Sequence, residues 1–346
     1  MNEMMDYLKE AMNKNAHELF LAPQVPPRYR LGRQWVNLGM ESLKAAQTKE
    51  SLLQVISDEE RQKLFEKGSA EGLLHIHGKS INFSLSLSAQ GLCGHFHWIE
   101  SSHFDLQSWG FPLYVSEIIA KGSGLSVITG SRRSGKTSAI GAIVKDLAQK
   151  KRAIISIFSD QDEIDLTSQE SVICSYHSSY LKGSLAQAEA SDLVVIDTKD
   201  PLVLKCAVEL SERGVNVLCA ISAHTVQAAL ERLSELIEEN PAIGLKRISH
   251  CLQMGIGLKL IPGIDAVLVP AFELLMGTSS VRRELRENNW SDLEMMMSTT
   301  GDRTGMRTMN QALLQLILKR KIELRVGFEE SSRPDELDQM LKKVGF

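Results

Sequence analysis

Residues 130–137 read Gly130-Ser131-Arg132-Arg133-Ser134-Gly135-Lys136-Thr137, the pattern G-x-x-x-x-G-K-[ST] of a phosphate-cradling P-loop. Such a loop works only between a strand and a helix. The strand end fixes the loop, and the helix start aims backbone N–H groups at an anion. Both flanks are present: 125–129 is an apolar run that reads as a buried strand, and 137–150 has helical period. The ligand implied is ATP with Mg²⁺. Lys136 is placed to reach the outer phosphates and Thr137 to hold the metal. Gly130, Ser131, Arg132, Arg133, Ser134, Gly135 and Ser138 complete the loop and the first helical turn.

The rest of the chain narrows the class. Its 346 residues are enough for two domains with a substantial core. A net charge of −4 argues against a dedicated nucleic-acid binder, which would be basic. The cysteines, Cys93, Cys174, Cys206, Cys219 and Cys251, show no paired spacing and read as reduced core residues of a cytosolic protein. The first ten residues are polar and acidic, unlike a signal peptide. The longest apolar runs fall far short of a bilayer span, so membrane association would come only through partners.

Along the chain, 1–13 predicts a helix with Met4, Met5, Leu8 and Met12 on one face. Residues 19–21 read as a short strand, 23–27 as a turn, 28–36 as a strand with a turn at Gly32, and 50–65 as one or two helices. Three runs of strand period follow at 73–77, 81–87 and 92–99, as in a meander. Composition changes near residue 100, and the linker is placed at 104–115, between domains at 1–103 and 116–346. Beyond it, strands are expected at 125–129, 153–158, 171–175, 193–197, 215–221 and 264–270, with helices between most of them. That alternation implies an α/β fold with a parallel sheet covered on both faces. After Ala271 the pattern turns all-helical, at 279–287, 291–298, 308–320 and 334–343.

Several short segments resemble one family in the same order. Asn15-Ala16-His17-Glu18-Leu19-Phe20-Leu21, followed by Val25-Pro26-Pro27-Arg28-Tyr29-Arg30, is similar to the opening of the PilT-type pilus-retraction ATPases of the type II/type IV secretion superfamily. Gly305-Met306-Arg307-Thr308-Met309-Asn310-Gln311-Ala312-Leu313 resembles their G-M-Q-T-L-D-Q-A-L. Ser280-Val281-Arg282-Arg283-Glu284-Leu285-Arg286-Glu287 resembles the A-I-R-N-L-I-R-E segment that marks the retraction branch. The resemblance implies a PAS-like α+β N-terminal domain and a RecA-like P-loop ATPase core with C-terminal helices, assembled as a homo-hexamer. It also implies work at the inner face of the inner membrane with the pilus platform protein, beside a paralogous motor ATPase. Arg282, Arg286 and Glu287 would then face a partner or couple the motor to it.

The catalytic motifs depart from the family. Its acidic segment I-E-D-P-I-E becomes Ser156-Ile157-Phe158-Ser159-Asp160-Gln161-Asp162-Glu163, with Phe158 at the Glu place and Asp160 and Glu163 out of register. Its Walker B ending, G-E-M-R-D, becomes Asp197-Thr198-Lys199-Asp200, one residue shorter. Asp197 remains for Mg²⁺, but a shorter carboxylate is a poor base for water. Its L-H-T becomes Ile221-Ser222-Ala223, with His224 two positions on. The arginines of its R-F-R-V-N-V-F-R-Q-R strand pair, which reach the neighbour's triphosphate, are all absent from 80–89. Arg132 and Arg133 are added instead. They either point to solvent or supply positive charge in cis.

A metal site is a second reading of the first sheet. His75 and His77 share one strand face, as do Cys93, His95 and His97, and alternating His and Cys can bind zinc. A polar, solvated sheet face is the plainer reading.

Three functions fit. The first is an ATP-binding, ring-forming component of a type IV pilus or related secretion machine with weak or absent hydrolysis. The second is a working motor that uses Asp197, His224 and Glu163, or Asp160. The third is a scaffold with a relic P-loop.

Overall fold

The computed structural model describes residues 3–76, 79–98, 105–112, 114–161, 164, 166–264, 267–299 and 301–345. The chain forms two compact units, one of Met1–Ser101 with Gln161–Asp165 and one of Ser102–Asp160 with Leu166–Phe346. No helix among the described residues is long and apolar enough to cross a membrane.

The first unit is α+β. Helix α1 (Glu3–Asn13) leads to strands β1 (Glu18–Leu21), β2 (Arg28–Leu31) and β3 (Gln34–Asn37). Helices α2 (Ala45–Leu53) and α3 (Asp58–Lys67) precede β4 (Ser69–Ile76), β5 (Lys79–Ser88) and β6 (Gly91–Trp98). The sheet is antiparallel in the order β3-β2-β1-β6-β5-β4. Alternation along β6 sorts its faces: Leu92, Gly94, Phe96 and Trp98 are buried, while Cys93, His95 and His97 are half-buried. Helix α3 has clear local limits. Ser57 and Glu60 form a reciprocal capping box, and Gly68 stops the helix at φ +77°.

The second unit begins with α4 (Tyr114–Lys121), β7 (Gly124–Thr129), α5 (Lys136–Lys150), β8 (Ile154–Ser159) and β9 (Val172–His177). It continues through α6 (Leu185–Glu189), β10 (Leu193–Asp197), α7 (Pro201–Glu212), β11 (Asn216–Ile221), α8 (Val226–Ile237) and α9 (Pro241–Cys251). Strands β12 (Leu252–Pro262) and β13 (Leu268–Met276) follow, and then α10 (Ser279–Arg286), α11 (Trp290–Thr299), α12 (Gly301–Thr304), α13 (Met309–Leu318), α14 (Leu324–Glu330) and α15 (Pro334–Lys343). The sheet order is β13-β12-β7-β11-β10-β8-β9, parallel from β12 through β9, with β13 antiparallel at one edge. Every residue of β7 and of β11 is buried, the continuous burial of strands covered on both faces.

Two expectations need correction. β12 was not foreseen, and the last strand is 268–276 rather than 264–270, so the all-helical stretch begins later than Ala271. Gly255 and Gly257 weaken the strand signal of β12. A side chain at Gly255 would run into Val226, and one at Gly257 into Glu273, so close packing selects glycine against strand propensity. The sheet is accordingly mixed at its β13 edge. There the 305–308 segment docks: Leu274 and Arg307 exchange backbone hydrogen bonds of 2.8 and 3.0 Å. The Arg307 guanidinium also lies 3.6 Å from the Phe272 ring centroid.

Gly244 marks the tightest helix approach. A Cβ there would lie 2.8 Å from Ser234 Cα on α8. Alanine normally gains about 1 kcal/mol over glycine inside a helix, but forcing apart a packed contact costs about 1–3 kcal/mol. Gly244→Ala should therefore lower the melting temperature. An unchanged or raised midpoint would show that α8 and α9 separate freely.

Candidate functional site

The site sits at the C-terminal ends of the parallel strands, where α/β sheets place ligands. β7 ends at Thr129, and its chain turns through 130–135 into α5. Gly135 caps that helix at φ +87°, a conformation suited to glycine, and the Trp109 ring packs where a side chain would stand. Gly130 is equally confined, by Ser134 and the carbonyl of Leu258. Ser134 is buried, and its hydroxyl has no partner among the described residues. The Lys136 ammonium donates to the carbonyls of Gly130 at 2.9 Å and Ser131 at 3.0 Å. Burial lowers its pKa, the charge of Asp197 opposes that shift, and the nearby ammonium of Lys199 adds to it. Ser131, Arg132 and Arg133 are exposed, and Ser138 is half-buried in the first turn of α5.

The structure brings Thr137 and Asp197 together. Thr137 Oγ1 donates to Asp197 Oδ2 at 2.8 Å, across the intervening strand β11. These are the two side chains assigned to Mg²⁺ on sequence grounds, and an oxygen pair of this kind suits a hard cation that keeps its waters.

Asp160 has a different task. Its Oδ1 accepts from Ser178 and Thr198 hydroxyls, both at 2.5 Å, and its Oδ2 accepts from the Lys199 N–H at 2.9 Å. Burial pushes its pKa up, but these hydrogen bonds outweigh burial and hold it below the usual aspartate value. A carboxylate with three donors on it braces the turn after β10 and is poorly suited to accept a proton from water.

His224 is exposed on the turn between β11 and α8, beyond the end of the strand at Ile221. The turn adjoins the loop, since Thr129 Oγ1 donates to Ala223 O at 3.1 Å. Glu163 lies outside the described residues, as does His77. Arg282 donates to the carbonyls of Leu252 and His250, so its guanidinium ties α10 to the end of α9, whereas Arg286 and Glu287 are exposed.

The metal reading weighed for the first sheet finds no support among the described residues. Among the described residues no group of three His, Cys, Asp or Glu is close enough for a metal. β5 lies between β4 and β6, so His75 stands two strand spacings, roughly 10 Å, from the β6 residues. His95 instead hydrogen-bonds the buried Glu18 at 2.9 Å.

Sequence reasoning missed three residues here. Lys199 follows the Walker B aspartate by two positions. Trp109 covers Gly135. Glu273 is buried on β13, where its Oε1 accepts from Val226 N–H at 2.6 Å at the start of α8, and burial raises its pKa against that hydrogen bond. A lone acid inside the apolar run 268–276 was the available signal for Glu273.

No family model matches the chain. The type IV pilus retraction ATPase PilT of Pseudomonas aeruginosa is 22% identical across 96% of this chain and 99% of its own length. The type IV pilus ATPase PilU of the same organism is 23% identical across 98% of this chain and 91% of its own. A crystal structure of the pilus retraction motor PilT with bound ADP has the same fold, with a TM-score of 0.81 at 24% identity over 96% of this chain and 98% of that one.

Two outcomes follow from the site's geometry. Asp160→Asn should lower stability by about 1–2 kcal/mol at neutral pH, because buried hydroxyls lose a charged acceptor. A lowered folded pKa gives stability that is present above the unfolded value of 3.8 and lost as pH falls through the folded value. The gap between the two proteins in thermal melts should thus persist at pH 5–8 and close only below the usual aspartate value. Arg133 holds φ +64°, where a side chain costs about 1 kcal/mol, and Arg132 does not. Arg133→Gly should raise the melting midpoint slightly and Arg132→Gly lower it. The reverse order would contradict the backbone strain.

Proposed function

We propose, starting from the chain's place as a diverged member of the PilT-type pilus ATPases, that it is a nucleotide-binding ATPase-type component of a type IV pilus or related secretion machine whose hydrolysis is weak or absent. The observation that carries this reading is the division of labour between two aspartates. Asp197 stands beside Thr137 where a metal is needed, while Asp160 is consumed by the turn behind it.

The chain's own residues fit ATP and Mg²⁺. The loop is narrowed by Gly130 and Gly135, and the Ser134 hydroxyl is buried without a partner. Lys136 and the backbone N–H groups of 131–137 would hold the phosphates, and Thr137 and Asp197 the metal. Bound Mg²⁺ would neutralise charge on the phosphates. What this site lacks among its described residues is a carboxylate free to position water. General-base help is worth about 10²–10⁴-fold. Residues 80–89, which form strand β5 and the start of its turn, carry Ser and Asn and no arginine where the resemblance expects arginines that reach a neighbouring subunit.

A hexameric ring, cytoplasmic placement at the inner membrane, a platform protein and a paralogous motor as partners, and coupling through Arg282, Arg286 and Glu287 belong to the same reading. The motor alternative keeps one specific support. Glu163 follows Asp160 by three positions in the sequence, and His224 is on a turn bonded to the end of β7.

Calorimetry with ATP·Mg²⁺, followed by phosphate release at saturating nucleotide, separates the readings. Binding lost in Lys136→Ala, with turnover far below 1 s⁻¹, is the expected result; enzymes typically turn over at roughly 1–10³ s⁻¹. Turnover in that range, abolished in Lys136→Ala, would establish the motor. No binding would leave the scaffold.

A further inference from the structure

We infer that Lys199 is a binding residue of the nucleotide site, placed to meet the outermost phosphate, and that it makes the site prefer a nucleoside triphosphate to a diphosphate. The inference rests on the nucleotide-binding reading and adds a residue and a specificity to it.

Asp160 accepts from both the Thr198 hydroxyl and the Lys199 N–H. The same hydroxyl accepts from Asp200 N–H at 3.0 Å, and Asp200 in turn caps α7 through Leu202 N–H at 2.8 Å, with Pro201 in the first helical position. Residues 198–200 are therefore fixed on both sides. A long cationic side chain on a rigid base loses less freedom on binding than one on a loop.

Location comes next. Lys199 is two residues beyond Asp197, whose carboxylate meets Thr137 at 2.8 Å. In P-loop sites the loop lysine and amides cradle the β- and γ-phosphates, and the Walker B aspartate serves the metal. Lys199 follows the C-terminal end of β10, on the same side of the parallel sheet as the loop that follows β7.

Lys199 is exposed, and its ammonium has no ion-pair or hydrogen-bond partner among the described residues. It is nevertheless near enough to Lys136 for the two charges to repel. Asp197 and Asp160 bring two negative charges to this corner, and that of Asp160 is already met by three donors. Bringing like charges together is unfavourable unless an anion fills the space between, and a polyphosphate with one more negative group fills it better. A charge-assisted hydrogen bond contributes enough to change affinity by about tenfold or more.

The test uses the full chain and two probes, AMPPNP·Mg²⁺ and ADP·Mg²⁺, measured by calorimetry. Lys199→Ala should weaken AMPPNP about tenfold or more and change ADP less than about twofold, and Lys199→Arg should keep most of the triphosphate affinity. The nucleotide-free melting midpoint of Lys199→Ala should match wild type, since the side chain is exposed. Equal weakening of both nucleotides, or of neither, overturns the role of Lys199 while leaving the site itself standing. Wild-type protein that binds neither probe overturns the nucleotide-binding reading and this inference with it.

Discussion

The hydrogen bond from Thr137 to Asp197 is the interaction around which the second unit is organised. It joins the first turn of α5 to the end of β10, and β11 lies between. The two groups meet only if β7, β11 and β10 keep parallel register to their last residues. The pairing does so, with Asp197 opposite Ala220 and Ile221 opposite Thr129. The fully buried strands β7 and β11 secure that register, because a one-residue slip would exchange the residues facing the two helical layers.

Next to this bond stands a second, purely structural one. Asp160 follows the last residue of β8, Ser159, which pairs with Asp197, and its N–H lies 3.2 Å from the Asp197 carbonyl. A carboxylate at that place in a nucleotide site reads in sequence as a reserve base. Its donors are Ser178, Thr198 and the backbone of Lys199, and none of them is a neighbour in sequence. They convert it into a brace that holds Lys199 in position. The same residue type thus serves rigidity rather than proton transfer, and the hydrogen-bond partners decide which.

Much of the fold was legible because its signals are local. The P-loop, the apolar strands on either side of it and the meander of β4, β5 and β6 follow from spacing and period. β12 was not legible, because Gly255 and Gly257 are there to admit Val226 and Glu273 from distant segments. The zinc pattern failed for a related reason. Alternation put His95 and His97 on one face correctly, but pairing placed β5 between them and His75, and Glu18 took the ring of His95.

By itself the sequence determined that this chain carries a phosphate loop on a strand–helix junction, with a lysine and a threonine in working places. It did so because that motif needs only eight consecutive residues and their flanks. Tertiary structure alone decided what the surrounding charges do. Asp160 became a brace, Arg282 a tie between helices, Lys199 a neighbour of Lys136 and Glu273 a buried cap. Each of those roles depends on a partner that is remote in sequence, and only the closing of the sheet brings such partners within hydrogen-bonding or Coulombic range.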